Sequence, residues 1–174
     1  EQAQVVVELL DHLQLSRCYL YGHSMGGSIA IEAAERLGER VLALLVAEPN
    51  LYAGGGIYSR AIAAQREAAF VARGYAEMLA AESSPWAGCL QNSAPWAVWR
   101  GASSLVCGVT PSWFTLFCRL SCPKTLIYGE LSLPAQEAED VVAQGIALRV
   151  VPDAGHSMAW ENPAALAAAI ASRC

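Results

Sequence analysis

Four short apolar runs recur along the chain, and each predicts a largely buried β-strand. They cover residues 17–22, 41–47, 125–129 and 147–151. Their lengths are typical of strands and fall short of the roughly ten or more residues expected of a helix. We therefore expect a sheet of about four strands.

Segments with apolar residues at helical spacing lie next to these runs in the sequence. Residues 2–15 and 28–37 each carry an apolar face, and residues 164–171 form an alanine-rich third pattern. This last pattern follows Asn162 and Pro163, which are typical of an N-cap and of a first helical turn. Strands and helices therefore lie together at both ends of the chain.

Residues 51–121 separate the second and third strands, a span far beyond the roughly two to six residues of an ordinary strand–helix connection. The segment must therefore hold structure of its own. Apolar positions from Ile57 to Val71 predict one helix, which Gly74 is expected to end. Shorter helices are expected around residues 75–81, 95–102 and 112–119.

Most aromatic side chains of the chain fall in this inserted segment. They include Trp86, Trp96, Trp99, Trp113, Phe114 and Phe117. One interpretation is an apolar pocket that roofs an active site. The other is that the rings form a small core within the insertion, and the sequence leaves both open.

The motif Gly22–His23–Ser24–Met25–Gly26 lies where the first strand meets the second helical pattern. A sharp turn there strains the serine backbone and presents its hydroxyl at a helix N-terminus. The helix dipole and the Met25 N–H can then stabilise a developing oxyanion. A glycine-rich turn of this kind also occurs in other doubly wound folds, but the strand before it and the helix after it favour Ser24 as a nucleophile.

A serine nucleophile needs a base, and His156 is the best candidate. It follows the fourth strand on a loop of small residues, Ala154–Gly155–His156. His12 lies on an amphipathic helix, where it is expected to be solvated. His23 lies within the turn itself, where its side chain is expected to pack beside the nucleophile.

At these residues the chain resembles the α/β-hydrolase superfamily, in the form with a helical lid inserted after the strand that follows the nucleophile helix. The resemblance rests on residues 22–26, on Gly129 and Glu130 at the end of the third strand, and on residues 154–156, in the family's order. It covers essentially the whole chain.

The resemblance implies an α/β fold with about four parallel strands flanked by helices. Core segments at residues 1–51 and 122–174 would enclose a helical lid at residues 52–121. It also implies an enzyme that hydrolyses esters, thioesters, peptides or carbon–carbon bonds with no cofactor and no metal.

The acid of the expected triad is not at its usual place. Such proteins commonly carry an aspartate three residues after the glycine that ends the third strand, and here that position is Ser132. Glu48, at the end of the second strand, would face the same edge of a parallel sheet and is the preferred acid. Glu130 is the alternative, and a centre with neither residue as its acid also stays open.

The composition of the chain limits the kinds of partner that it is expected to bind. The chain has 174 residues, is 55% hydrophobic and carries a formal net charge of −5, which argues against nucleic acid and anionic membrane surfaces. No apolar run approaches the roughly 20 residues of a membrane span. A small-molecule acyl substrate is the expected partner.

The six cysteines show neither CxxC pairs nor metal-type clustering with histidine. Reduced thiols in a cytoplasmic protein are the favoured interpretation. Secretion with disulfide bonds is the alternative.

The chain begins at Glu1, and its first helix leads directly to the strand that precedes Ser24. In the resembled fold several strands come earlier, including the one whose loop supplies a second oxyanion N–H. We therefore expect the C-terminal part of a longer hydrolase, with weak or absent esterase activity of its own. Its first strand would lie at an exposed edge and favour self-association.

The expected function is that of a serine hydrolase that cleaves an ester, thioester or related acyl bond of a small apolar substrate through an acyl-enzyme. Ser24 would attack, His156 would carry the proton, Glu48 would orient the imidazole, and the Met25 N–H would bind the oxyanion. The alternatives are a non-catalytic relative that retains only a binding pocket, and a carbon–carbon bond hydrolase.

Overall fold

The computed structural model describes residues 1–84 and 86–172, within which the chain forms four β-strands and eleven α-helices. The strands are β1 (Cys18–His23), β2 (Val41–Ala47), β3 (Lys124–Gly129) and β4 (Ala147–Val151). Each begins and ends within one residue of an apolar run in the sequence, so the predicted sheet is confirmed.

Within the described residues, helices precede and follow each strand in the sequence. In chain order they are α1 (Gln2–His12), α2 (Met25–Leu37), α3 (Ile57–Ala63), α4 (Glu67–Ala69), α5 (Tyr75–Ala81), α6 (Trp86–Gln91), α7 (Pro95–Cys107), α8 (Trp113–Arg119), α9 (Gln136–Ala143), α10 (Met158–Glu161) and α11 (Pro163–Ala171). Short 3₁₀ turns occupy Gly38–Arg40 and Glu130–Ser132, and a π turn occupies Phe70–Gly74.

The four strands form one parallel sheet in the order β1–β2–β3–β4. The inner strands β2 and β3 are buried along nearly their whole length, as expected of a parallel sheet covered on both faces. The outer strands are partly exposed, and Tyr19 and Tyr21 of β1 are 48% and 40% exposed. The first strand therefore lies at an edge of the sheet, and self-association through it stays a prediction.

Helices pack against the strands of the sheet. The second helix α2 contacts β1 and β2, and α9 contacts β3 and β4. The last two helices supply Met158 and Leu166 to a buried cluster with Leu45, Ile127 and Val151. Since these three residues come from β2, β3 and β4, the cluster fixes those strands together on one face of the sheet.

The chain divides into two compact units. Glu1–Leu51 together with Pro111 onwards contains the sheet, and Tyr52–Thr110 is the helical unit. The sequence pattern extended the insertion to residue 121, but α8 packs against α2 in the sheet unit.

Two polar contacts bind α8 to α2. The Trp113 indole N–H donates to Glu32 Oε1 over 2.8 Å, and Arg119 forms an ion pair with Glu35. Trp113 is itself buried in the sheet unit. This helix is therefore part of the support of the α2 helix, and the inserted unit is shorter than the pattern indicated.

The helical unit has a core of its own. Helices α3 and α7 pack together within it, and Ile62, Phe70 and Ala102 are buried together. The Phe70 ring also meets the Tyr75 ring edge-on. These rings therefore serve the internal packing of the unit.

The helix expected from Ile57 to Gly74 is interrupted. It ends at Ala63, and Arg66 adopts an extended backbone. The Gln65 carbonyl, which lies beyond the helix end, accepts a hydrogen bond from the Trp99 indole over 2.8 Å. The chain then runs through α4 and the π turn directly into α5. Gly74 therefore does not end a helix.

The thiols of Cys18, Cys89, Cys107, Cys118 and Cys122 are free. Cys174 lies outside the described residues. Across residues 1–84 and 86–172, no helix combines the length and the apolar character that a membrane crossing requires.

Gly129 ends β3 directly beneath the loop that carries His156. A Cβ atom built at Gly129 would lie 2.5 Å from the Gly155 carbonyl oxygen and closer still to that of Ala154. Backbone cannot be moved aside as a flexible side chain can. The close approach of this loop to the strand end therefore requires glycine.

We expect Gly129→Ala to lower the free energy of unfolding by about 1–3 kcal/mol, the usual cost of forcing extra atoms into a packed site. Gly88→Ala is the matched control, because a Cβ atom there meets open space within α6. The control should be neutral or slightly stabilising through its gain in helix propensity. Urea denaturation of both variants measures this, and equal stabilities would refute the close-approach argument.

Candidate active site

The candidate residues Ser24, Glu48 and His156 all follow strands that end at the same edge of the sheet. Ser24 comes directly after β1 and Glu48 directly after β2, whereas a short loop after β4 leads to His156. Ladder hydrogen bonds continue into these positions. The Ser24 N–H donates to the Ala47 carbonyl over 2.9 Å, and the Glu48 N–H donates to the Ile127 carbonyl over 3.0 Å. The sheet register therefore sets where each side chain starts.

Ser24 lies in a strained turn between β1 and α2. Its backbone has φ 53° and ψ −126°, a conformation that residues other than glycine rarely adopt. Gly22 permits the turn, since a Cβ atom there would lie 2.6 Å from the Gly26 carbonyl carbon. The helix begins at Met25, whose N–H is among the first-turn amides that have no acceptor within the helix. The turn thus presents a hydroxyl and a helix N-terminus at one point.

The loop that carries His156 is held from two directions. Glu130 accepts a hydrogen bond from the Asp153 N–H over 3.1 Å, and Glu161 accepts one from the Gly155 N–H over 2.7 Å. Between them, the Leu131 N–H donates to the Ala154 carbonyl over 2.9 Å. These bonds fix the loop backbone immediately before the histidine.

The three candidate side chains form a continuous hydrogen-bonded chain. Ser24 Oγ lies 3.1 Å from His156 Nε2, and His156 Nδ1 lies 2.7 Å from Glu48 Oε2. With Ser24 as donor to Nε2, the imidazole proton is on Nδ1 and points to the carboxylate. The His156 side chain is 55% exposed, whereas that of Glu48 is 8% exposed. The imidazole is thus open to solvent on one side and meets a shielded carboxylate on the other.

Glu48 is stabilised in its charged form. Burial alone would raise the pKa of this carboxyl, but hydrogen bonds, first from His156 and then from the Gly129 N–H, favour the charged form, and the pKa lies below its ordinary value. The Gly129 N–H donates to Oε1 over 3.0 Å, which leaves Oε2 for the imidazole. The carboxylate therefore faces His156 with a defined oxygen.

His23 contacts His156 without taking part in this chain of bonds. Its Nε2–H donates to the His156 carbonyl over 2.8 Å, and the two ring centres are 4.7 Å apart. Burial lowers the pKa of His23, and the nearby His156 lowers it further. A neutral ring that packs beside the site agrees with the place expected from the sequence.

Glu130, the alternative acid, and Asp153, on the loop that leads to His156, occupy different places. Glu130 binds the Asp153 N–H and so supports the loop. Asp153 adopts a left-handed backbone with φ 53° at the turn after β4. Of the three carboxylates, it is Glu48 that meets the imidazole.

One contributor was not identified from the sequence as part of the site. It is the Gly129 N–H, which donates to Glu48 Oε1. The available signal was the position of Gly129 at the end of the third strand, next to the strand that Glu48 follows. In the part of the chain that the structure describes, no cluster of three or more His, Cys, Asp or Glu side chains is arranged to hold a metal ion.

Solved structures share this fold. An esterase from Thermogutta terrifontis is 23% identical with a TM-score of 0.73, over 97% of this chain and 69% of that one. An esterase from Exiguobacterium antarcticum is 19% identical with a TM-score of 0.73, over 98% of this chain and 71% of that one. A hydrolase from Pseudomonas aeruginosa PA01 is 22% identical with a TM-score of 0.70, over 98% and 69% of the two chains. At these identities the likeness is one of fold.

Sequence comparison gives a more local match and a family match. A stretch of 52 residues, 29% of this chain, is 40% identical to the dihydrolipoyllysine-residue acetyltransferase component of the acetoin cleaving system of Pseudomonas putida. That stretch spans only 14% of the Pseudomonas protein. The model of the alpha/beta hydrolase family matches residues 1–169, nearly the whole chain. The chain therefore belongs to the alpha/beta hydrolase family.

Proposed function

We propose that this chain carries the catalytic centre of a serine hydrolase that cleaves an ester, thioester or related acyl bond of a small apolar substrate. The observation that carries the proposal is the hydrogen-bonded chain from Ser24 through His156 to Glu48, with distances of 3.1 Å and 2.7 Å. A nucleophile, a base and an orienting acid in this order are the parts that acyl transfer needs.

In the proposed first step Ser24 Oγ attacks the carbonyl carbon of the substrate while His156 Nε2 takes the hydroxyl proton. The electron pair of the carbonyl double bond moves to its oxygen, and the Met25 N–H at the start of α2 donates to that oxyanion. The intermediate then collapses, the bond to the leaving group breaks, and His156 returns the proton to the departing oxygen or sulfur. An acyl-Ser24 ester remains.

In the second step water replaces the leaving group. His156 takes a proton from the water, the resulting hydroxide adds to the acyl carbon, and Ser24 Oγ departs with the proton from His156. Glu48 stays ionised throughout and stabilises the imidazolium that forms in each step. The lowered pKa of Glu48 supports this role, because an acid that stayed protonated could not stabilise a positive ring.

Esters are the first compounds to test. Two of the proteins with similar folds are named esterases, and an activated ester needs little help for its leaving group. The chain spans about 69–71% of those solved proteins, so the choice of substrate is a proposal for this centre.

A fluorophosphonate probe should label the chain at Ser24. The probe reacts with a serine whose proton can be withdrawn, and the 3.1 Å contact between Ser24 and His156 supplies that base. Mass spectrometry should place the adduct on the peptide that contains Ser24. Ser24→Ala should abolish labelling and His156→Gln should slow it strongly, whereas an unlabelled wild-type chain would favour a non-catalytic binding protein.

Glu48→Gln should reduce ester turnover far more than Glu130→Gln. The amide introduced by Glu48→Gln can favour the wrong imidazole tautomer, and the comparable change in serine proteases costs ~10⁴-fold in kcat. The amide oxygen introduced by Glu130→Gln can still accept the Asp153 N–H, so this variant should retain most activity. Steady-state kinetics with a short p-nitrophenyl ester measures both, and a reversed order would assign the acid role to Glu130.

Acid should remove the stabilising contribution of Glu48. Its pKa is lowered in the folded state, so the unfolded chain takes up the proton at a higher pH, and stability is lost as the pH falls through the folded pKa. Glutamine does not titrate, so the difference in unfolding free energy between wild type and Glu48→Gln should shrink from about pH 6 to about pH 3. Urea denaturation at several pH values tests this, and a difference that grows toward low pH would contradict the sign.

A further inference from the structure

His23, the residue before the nucleophile, connects the ends of the two outer strands. It is the last residue of β1, where it pairs with Ala47 of β2, so the sheet sets the position of its backbone. Its ring reaches the loop after β4, where Nε2 lies 2.8 Å from the His156 carbonyl oxygen. Strands β1 and β4 do not pair with each other. This bond therefore joins two strand ends that the sheet itself leaves apart.

The same bond assigns the proton of the His23 ring. A carbonyl oxygen can only accept, so Nε2 carries the hydrogen, and in the neutral ring Nδ1 is bare. Burial, followed by the nearby His156, lowers the pKa of His23, which favours the neutral ring at neutral pH. The two ring centres are 4.7 Å apart. A neutral donor at this distance holds the loop without opposing the positive charge that forms on His156 during acyl transfer.

The bond from His23 differs from the other supports of the histidine loop. The contacts of Glu130, Leu131 and Glu161 act on residues 153–155, before the histidine. The bond from His23 acts on the carbonyl of His156 itself, and it comes from the strand that leads directly to the nucleophile. It thus ties the backbone of the base to the backbone next to the serine whose Oγ lies 3.1 Å from the imidazole Nε2.

We propose that His23 is a positioning residue for the base, whose Nε2–H holds the His156 backbone so that the imidazole meets Ser24 and Glu48 together. The effect on turnover rests on the proposed function, whereas the effect on the His156 ring does not. His23→Phe keeps an aromatic ring and removes the donor. It should lower kcat by about tenfold to 10²-fold, because a small displacement of the base slows proton transfer, and leave KM within about twofold.

The decisive measurement is ¹⁵N NMR of the histidine rings at about pH 8.5, well above the ordinary histidine pKa of about 6.5. In the wild-type chain His23 should carry its proton on Nε2 and His156 on Nδ1. In His23→Phe the His156 ring should move toward the mixed tautomers of a solvated imidazole, because it is no longer held within reach of Glu48 Oε2. His23→Gln presents an amide N–H in place of the ring N–H and should restore most of the Nδ1–H tautomer and of kcat.

His12→Phe is the matched control, since it makes the same substitution at an exposed position of α1 and should leave the His156 tautomer and kcat as in wild type. A wild-type His23 ring with its proton on Nδ1, or an unchanged His156 tautomer in His23→Phe, overturns the positioning role whatever the turnover. The expected tautomers with rescue by Gln support the role even if the wild-type chain hydrolyses no ester, which would overturn only the proposed function. If His23→Phe does not fold, His23→Leu removes the donor with less bulk and gives the same comparison.

Discussion

The buried negative charge of Glu48 is the constraint on which the site depends. A carboxylate shielded from water is costly unless several donors compensate for its lost hydration. Here the donors come from the end of β3 and from the loop after β4, so they must converge on a residue that follows β2. The charge can be accommodated only if three neighbouring strand ends keep their relative positions. Packing of the sheet and placement of the site are therefore one requirement.

Backbone strain is concentrated at this edge. In the described residues, positive φ values at Ser24, Glu48 and Asp153 place three non-glycine residues in a region that is normally unfavourable. Ladder bonds from Ser24 to Ala47 and from Glu48 to Ile127 hold the first two in place. Packing of the buried cluster that joins β2, β3 and β4 offsets the energetic cost of this backbone strain. Rigid strands thus support irregular ends.

Much of this could be predicted from local sequence. Apolar runs define the four strands to within a residue, and the motif around Ser24 together with the loop of His156 identifies two of the three side chains that meet. Glu48 could be proposed because strand ends converge in a parallel sheet, but Glu130 could not be discarded, since both glutamates follow buried strands. Only the tertiary structure shows which of them contacts the imidazole.

Interactions between distant segments account for the rest. At the break after α3 the Gln65 carbonyl accepts a hydrogen bond from the Trp99 indole, which lies far along the chain. The assignment of α8 to the sheet unit depends on Glu32 and Glu35 of α2. The hydrogen bond from the Gly129 N–H to Glu48 joins residues that the whole inserted unit separates in sequence. Periodicity and motif describe a segment and its neighbours, whereas these contacts require the closed fold.

A hydrogen bond joins the two ends of the inserted unit, and this affects how easily the length of the unit can change. Within it, the Gly54 N–H donates to the Val106 carbonyl over 2.9 Å, and within the sheet unit the Phe114 N–H donates to the Leu51 carbonyl over 2.9 Å. Each unit thus joins its own two ends near the junction. The entropy of closing a loop changes slowly with its length, by only about 0.6 kcal/mol for each doubling. The inserted segment can therefore change in length at little energetic cost, while the strands that precede Ser24, Glu48 and His156 keep their arrangement in the sheet.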